Sequence, residues 1–144
     1  MKPLLLAQAA STLPLVGLIW TIQLVQYPLF ARVGEAAFTG YHAGHSARIT
    51  WVVLPLMLAE LVSAGLLLTR IESPVTGATA WLGAALVGVI WLSTAFLQVP
   101  RHGELASGFD AASHQFLVAS NWLRTVAWTA RGGLVLWWLS RLDG

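Results

Sequence analysis

The chain has no cysteine. Disulfides, thiolate metal centres and cysteine nucleophiles are therefore excluded, and nothing in the composition reports on redox compartment. Charge is nearly as scarce. Of 144 residues, 10% are Asp, Glu, Lys or Arg, whereas 57% are hydrophobic. Soluble domains carry about 25% charged residues, so this chain has too little polar surface to cover a water-soluble domain. The formal net charge of +2 does not indicate a nucleic-acid partner, because basic residues at membrane borders account for it. Also missing are a Gly-rich phosphate loop, a Gly-x-Ser-x-Gly elbow and a His-Glu-x-x-His helix, which argues against phosphoryl transfer, serine hydrolysis and zinc proteolysis.

What the chain does have is long apolar runs. A membrane helix needs roughly 20 mostly apolar residues. Four runs qualify, at about 6–30, 49–68, 78–99 and 116–139. They are too long and too continuous for alternating barrel strands, and helices satisfy their own backbone in lipid. The expected fold is all-α, a single integral membrane four-helix bundle over 1–144. The start, Met1-Lys2-Pro3 followed by Leu4, Leu5 and Leu6, has a signal-peptide flavour. The apolar pattern resumes at once, so it reads as the beginning of the first span. Pro14, Pro28 and Pro55 are expected to bend or end helices. Trp81, Trp137 and Trp138 would mark one membrane interface, and Tyr27, Tyr41, Trp51 and Trp122 the other. Gly83, Ala84, Ala85 and Gly88 in the third span, with Gly132 and Gly133 in the fourth, permit close helix contact, and the third span could form a homo-oligomer face. No internal repeat is evident. Basic residues tie across the two sides (Lys2, Arg70 and Arg141 against Arg32, Arg48 and Arg101), so orientation stays undetermined; the bacterial inner membrane is the expected location.

Four spans put the loops at 31–48 and 100–115 on one side, and all four histidines, His42, His45, His102 and His114, fall in them. Glu35, Glu104 and Asp110 join them there, whereas the opposite side has only Glu72 and Asp143 as acids. Within the fourth span, His114, Asn121, Arg124, Trp128 and Arg131 recur at helical spacing and form one stripe. Gln23, Gln26 and Tyr27 share a face in the first span, and Trp91, Thr94, Gln98 and His102 in the third. Polar groups facing lipid cost several kcal/mol each. The stripes should therefore face one another and form a polar pocket at the histidine end, with the terminal half left as apolar packing. Glu60 and Arg131 fall at similar depths and are expected to form a structural intramembrane pair. Asp110 is expected to cap the last helix.

A family resemblance rests on Gly17-Leu18-Ile19-Trp20, Gln26-Tyr27-Pro28, Gln98-Val99-Pro100-Arg101-His102-Gly103-Glu104-Leu105 and Asn121-Trp122-Leu123-Arg124-Thr125. A span ending in Val-Pro, a short polar loop, and a last span opening on Asn-x-x-Arg-Thr resemble the anthrone-oxygenase-like family of small four-span membrane proteins, most of them without known function. The chain departs from it in its Asn121-Trp122 order and its histidine count. The resemblance implies an oxygenase or oxidase acting on an apolar aromatic or lipid-like substrate, with His102 or His114 as base and Asn121 and Arg124 stabilising an enolate oxygen. A metal-dependent version would use His42, His45, His102 and His114. The residues leave open no cofactor, a transition metal or haem. The alternative is a non-catalytic carrier, assembly factor or complex subunit, with the lipid bilayer and an apolar small molecule as partners.

Overall fold

The computed structural model describes residues 1–142; Asp143 lies outside the described residues. They form four long helices joined by short connections, with no strand among them. α1 is Lys2–Phe30, α2 Glu35–Thr69, α3 Gly77–Leu105 and α4 Ala111–Ser140. The first three are long and apolar enough to cross a membrane. α4 is as long as α1 and α3 but less apolar, because Asn121, Arg124 and Arg131 lie on it, and all three are buried inside the bundle.

The helices reach further than the apolar runs. Residues 31–48 and 100–115, expected as loops, are largely helical. α2 opens after Gly34, which is extended, with Glu35 in the first turn where the helix dipole favours an acid. At 35 residues it is about 52 Å long, well beyond the roughly 30 Å of a hydrocarbon core. His42 and His45 thus ride on a helix one turn apart. α3 does not end at Pro100, and α1 does not end at Pro28. Each passes its proline through a π turn, Ile22–Gln26 in α1 and Thr94–Gln98 in α3. The wider turn accommodates the missing N–H and the ring that would otherwise clash with the preceding turn.

These two π turns expose a repeat that the sequence pattern hides. Gln26 and Gln98, Pro28 and Pro100, His42 and His114 are each separated by half the chain length. The molecule is therefore two α-hairpins of the same design, α1 with α2 and α3 with α4. α1 packs against α2 and α4, and α3 against α4; the seam between α2 and α3 is the sparsest of the four.

Three apolar layers stack along the bundle. One, at the chain termini, contains Leu5, Leu67, Val75, Ala80, Val135 and Trp138. The middle one is built on Leu15, Ile19, Met57, Ile90 and Trp128, and the histidine-end one on Ile22, Tyr27, Phe30, Phe38 and Leu117. Two aromatic residues expected at interfaces belong instead to this core: Trp138, whose indole donates to Thr79 Oγ1 at 3.2 Å, and Tyr27.

The terminal half is not purely apolar. Glu60 and Arg131 form an ion pair there, Arg131 Nε donating to Glu60 Oε1 at 2.8 Å, and both are fully buried. Thr12 and the Trp128 indole donate the remaining bonds to the Glu60 carboxylate, at 2.6 and 3.0 Å. Arg131 also donates to the Gly83 carbonyl at 2.8 Å and to Gln8 Oε1. Gln8 in turn donates to Ser63. Such satisfaction offsets the cost of burying both charges. Gly83 has a steric reason as well, since a Cβ there would lie 2.9 Å from Arg131 Nη1.

Candidate functional site

The sparse α2–α3 seam opens onto a cavity of about 400 Å³ at the histidine end, floored by residues of α1 and α4. The internal repeat explains why it is there. The corresponding seam, between α1 and α4, is zipped by Gln23, whose Oε1 accepts from Asn121 Nδ2 at 2.8 Å and from Thr125 Oγ1 at 3.3 Å. The counterparts of these three residues half a chain away are Ala95, Ile49 and Val53. None can form such bonds, and all three line the cavity.

Most of the wall is apolar. The polar residues along it include Tyr27, His45, Thr94, Gln98, His102 and Arg124. Thr94, Gln98 and His102 come from the third-span stripe, and the π turn sits in the middle of it. Gln98 is tied back by Ser93, which donates to its Oε1, and by its own bond to Ser120. Two further cavity-lining residues, Ser46 and Trp91, each have a buried polar atom without a hydrogen-bond partner among the described residues: the hydroxyl oxygen and the indole nitrogen.

Arg124 is the centre of the site. Its side chain is buried, with 6% exposure. Its Nε and Nη2 donate to Asn121 Oδ1, Nη1 donates to Thr94 Oγ1 at 3.3 Å, and Nη2 reaches Tyr27 Oη at 3.4 Å. Every acceptor is neutral. No carboxylate pairs with this guanidinium among the described residues. Asn121, held by Gln23, orients the guanidinium and leaves its charge unneutralised.

The histidines divide into two groups. His102 Nε2 lies 3.0 Å from Tyr27 Oη, and its Nδ1 lies 2.9 Å from His42 Nε2. His45 stacks near His102, with ring centroids 6.2 Å apart. His114 is not on the cavity wall. Its Nε2 lies 2.7 Å from the Tyr27 carbonyl oxygen. A carbonyl only accepts, so this nitrogen is a donor and fixes the position of Tyr27. The four rings expected as metal ligands therefore do not converge, and no group of three His, Asp or Glu side chains among the described residues is arranged to hold a metal ion. The facing nitrogens of His42 and His102 are joined directly to each other.

Asp110 caps α4, its carboxylate accepting from Ser113 N at 2.7 Å. That backbone bond is the main cause holding the Asp110 carboxyl below its ordinary range. Glu104 pairs with Arg101 at 2.7 Å and accepts from the Ser113 hydroxyl, which joins the end of α3 to the start of α4.

Ser46 is the site residue that sequence reasoning did not select. The sequence places Tyr27 on the pocket-facing stripe with Gln23, the partner of Asn121, but without a role in the chemistry. Ser46 carries no such signal, because its segment reads as loop from the sequence. The chain gives no significant match to any protein-family model, curated protein or solved structure.

Proposed function

We propose that this chain is an integral membrane protein that admits an apolar, oxygen-bearing small molecule between α2 and α3 and stabilises negative charge on its oxygen. The observation that carries the reading is Arg124, a buried guanidinium with only neutral partners on the wall of a largely apolar cavity. An unpaired buried charge is costly and marks a functional site. A ligand oxygen carrying or developing negative charge offsets that cost. Ser46 and Trp91 supply two more groups able to bond ligand oxygens.

Membrane residence is supported by three helices of sufficient length and apolarity. Large apolar side chains also face outward along the bundle, among them Leu24, Trp51, Val62, Leu92, Phe96 and Val126. The bacterial inner membrane is the bilayer the sequence reading favours, with either orientation.

The chemistry we favour is oxygenation of an anthrone-type ketone, in line with the sequence resemblance. Such a substrate has a CH₂ group activated by its carbonyl. Loss of one proton gives an enolate whose oxygen faces Arg124, and O₂ converts the CH₂ carbon to a second carbonyl with release of water. His102, on the cavity wall and 3.0 Å from Tyr27 Oη, is the base we assign. O₂ uptake by the purified chain in lipid nanodiscs with anthrone tests this: uptake should be saturable and be lost in His102→Gln at unchanged helicity. Equal uptake in both proteins would refute the catalytic reading. The apolar lining also suits a non-catalytic carrier or complex subunit, which binds the same ligand with no O₂ uptake.

A further inference from the structure

We propose that Tyr27, His102 and His42 form a proton relay whose resting hydrogen-bond order runs from the cavity to His42, where the proton leaves. The inference rests on the cavity reading above, but its geometry is a property of the chain without ligand.

The direction follows from donor counting. Arg124 can only donate, so Tyr27 Oη accepts from it at 3.4 Å. The phenolic hydrogen is then free to point at His102 Nε2, 3.0 Å away. A neutral imidazole that accepts at Nε2 carries its hydrogen on Nδ1. His102 Nδ1 therefore donates to His42 Nε2 across 2.9 Å. His42 by the same rule carries its hydrogen on Nδ1, and that atom is buried without a partner among the described residues. The chain of bonds thus begins on a cation that cannot accept and ends on a spare donor. In the reverse order the Tyr27 hydroxyl would accept from both Arg124 and His102, leaving its own hydrogen without a partner among the described residues.

The repeat gives independent support. The counterpart of His42 half a chain away is His114, which donates to a backbone carbonyl and forms no such chain. The counterpart of His102 is Phe30. A second imidazole is thus present only at the α2–α3 seam, where the cavity lies. Two aromatic rings cover the exit: Phe38 stacks on His42, and Phe109 packs edge-on against Phe38. Phe109 follows Gly108, whose φ of 147° lies in the region that favours glycine.

One transfer moves one proton and no electrons. The ligand acid gives its proton to Tyr27 Oη while the phenolic proton passes to His102 Nε2. The Nδ1 proton of His102 passes to His42 Nε2, and His42 releases its Nδ1 proton to water. The ligand keeps the electron pair as an anion beside Arg124. Both histidines end neutral in the opposite tautomer; the reverse transfer, which takes a proton from water at His42 Nδ1 and delivers one through Tyr27 to the ligand anion, restores them. His45 and Arg124 are the other titratable groups on this cluster. Neither is a carboxylate that could trap the proton.

The test is histidine nitrogen NMR on the full ligand-free chain, ¹⁵N-labelled at histidine, in nanodiscs near neutral pH. The expected spectrum shows His42 and His102 hydrogenated on Nδ1 and His114 on Nε2, with assignments from His42→Gln and His114→Gln. Tyr27→Phe should abolish the single tautomer of His102. His102→Gln assigns the deciding signal independently, so one variant that fails to fold leaves the test intact. A wild-type His102 hydrogenated on Nε2, or a mixture of tautomers, overturns the relay. Because no ligand is present, that result would leave the cavity reading standing. Failure of the anthrone assay would likewise leave the tautomer order untouched.

Discussion

Arg124 and Arg131 lie two turns apart on the buried face of α4, and among the described residues only Arg131 has a carboxylate partner. Arg131 meets Glu60 at 2.8 Å in a network with every partner filled. Arg124 meets an amide, a hydroxyl and a phenol. The first arrangement suits structure and the second suits a ligand, and the two should respond differently to the same substitution.

Arg131→Met leaves Glu60 buried without its partner. Loss of one member of a buried pair typically costs about 3–5 kcal/mol. Replacing both, as in Glu60→Leu with Arg131→Met, should recover much of that loss. Chemical unfolding in detergent measures both. Equal loss in the single and double variants would show that the pair acts through something other than its charges.

Arg124→Met removes a buried charge that no counter-ion among the described residues neutralises. We expect its unfolding midpoint to be no lower than that of the unsubstituted chain, while binding of an acidic apolar ligand is lost. A loss of stability matching that of Arg131→Met would mean that Arg124 holds the bundle together.

Gly83 provides a steric test of the same network. A Cβ at this position would meet Arg131 Nη1 at 2.9 Å and a Trp138 ring carbon at 3.1 Å. Forcing a side chain into a packed interior typically costs about 1–3 kcal/mol, so Gly83→Ala should fall in that range by the same unfolding measurement. A Cβ added at Gly88 would meet nothing within 4 Å, and Gly88→Ala should be neutral or stabilising.

The α4 cap should be sensitive to acid. The folded-state pKa of Asp110 is lowered, chiefly by the backbone N–H of Ser113. A depressed carboxyl stabilises the fold above its unfolded pKa, and that stability is lost as pH falls through the lowered folded value. Asp110→Asn keeps a good capping side chain but cannot titrate. The difference in stability between the two proteins should therefore change on acidification, and unfolding curves at neutral and acidic pH will show it.

The helical architecture was legible in this sequence because apolar runs of membrane length leave few alternatives. The inward stripe on α4 was legible too: His114, Asn121, Arg124, Trp128 and Arg131 recur at helical spacing, and all are buried. Helix ends were not. Prolines at 28 and 100 read as stops, but a π turn ahead of each carries the helix through, and apolarity says nothing about helix that continues past its apolar run. The repeat is hidden in the sequence because its shared residues are few: Gln26, Pro28, His42, Ala47 and Leu67, matched by Gln98, Pro100, His114, Ala119 and Leu139. The histidines fall at the end the sequence assigns them, yet their grouping depends on the added length of α2 and α3, which turns His42 toward His102 and leaves His114 on Tyr27.

Stabilisation of an oxyanion by Arg124 is the central claim, and the acidity of a bound phenol reads it out directly. An apolar phenol such as 1-naphthol, titrated by absorbance with the chain in nanodiscs, should ionise at lower pH than in empty nanodiscs. The shift should vanish in Arg124→Met. The same ionisation pH in the unsubstituted chain, Arg124→Met and empty nanodiscs would contradict that role for Arg124.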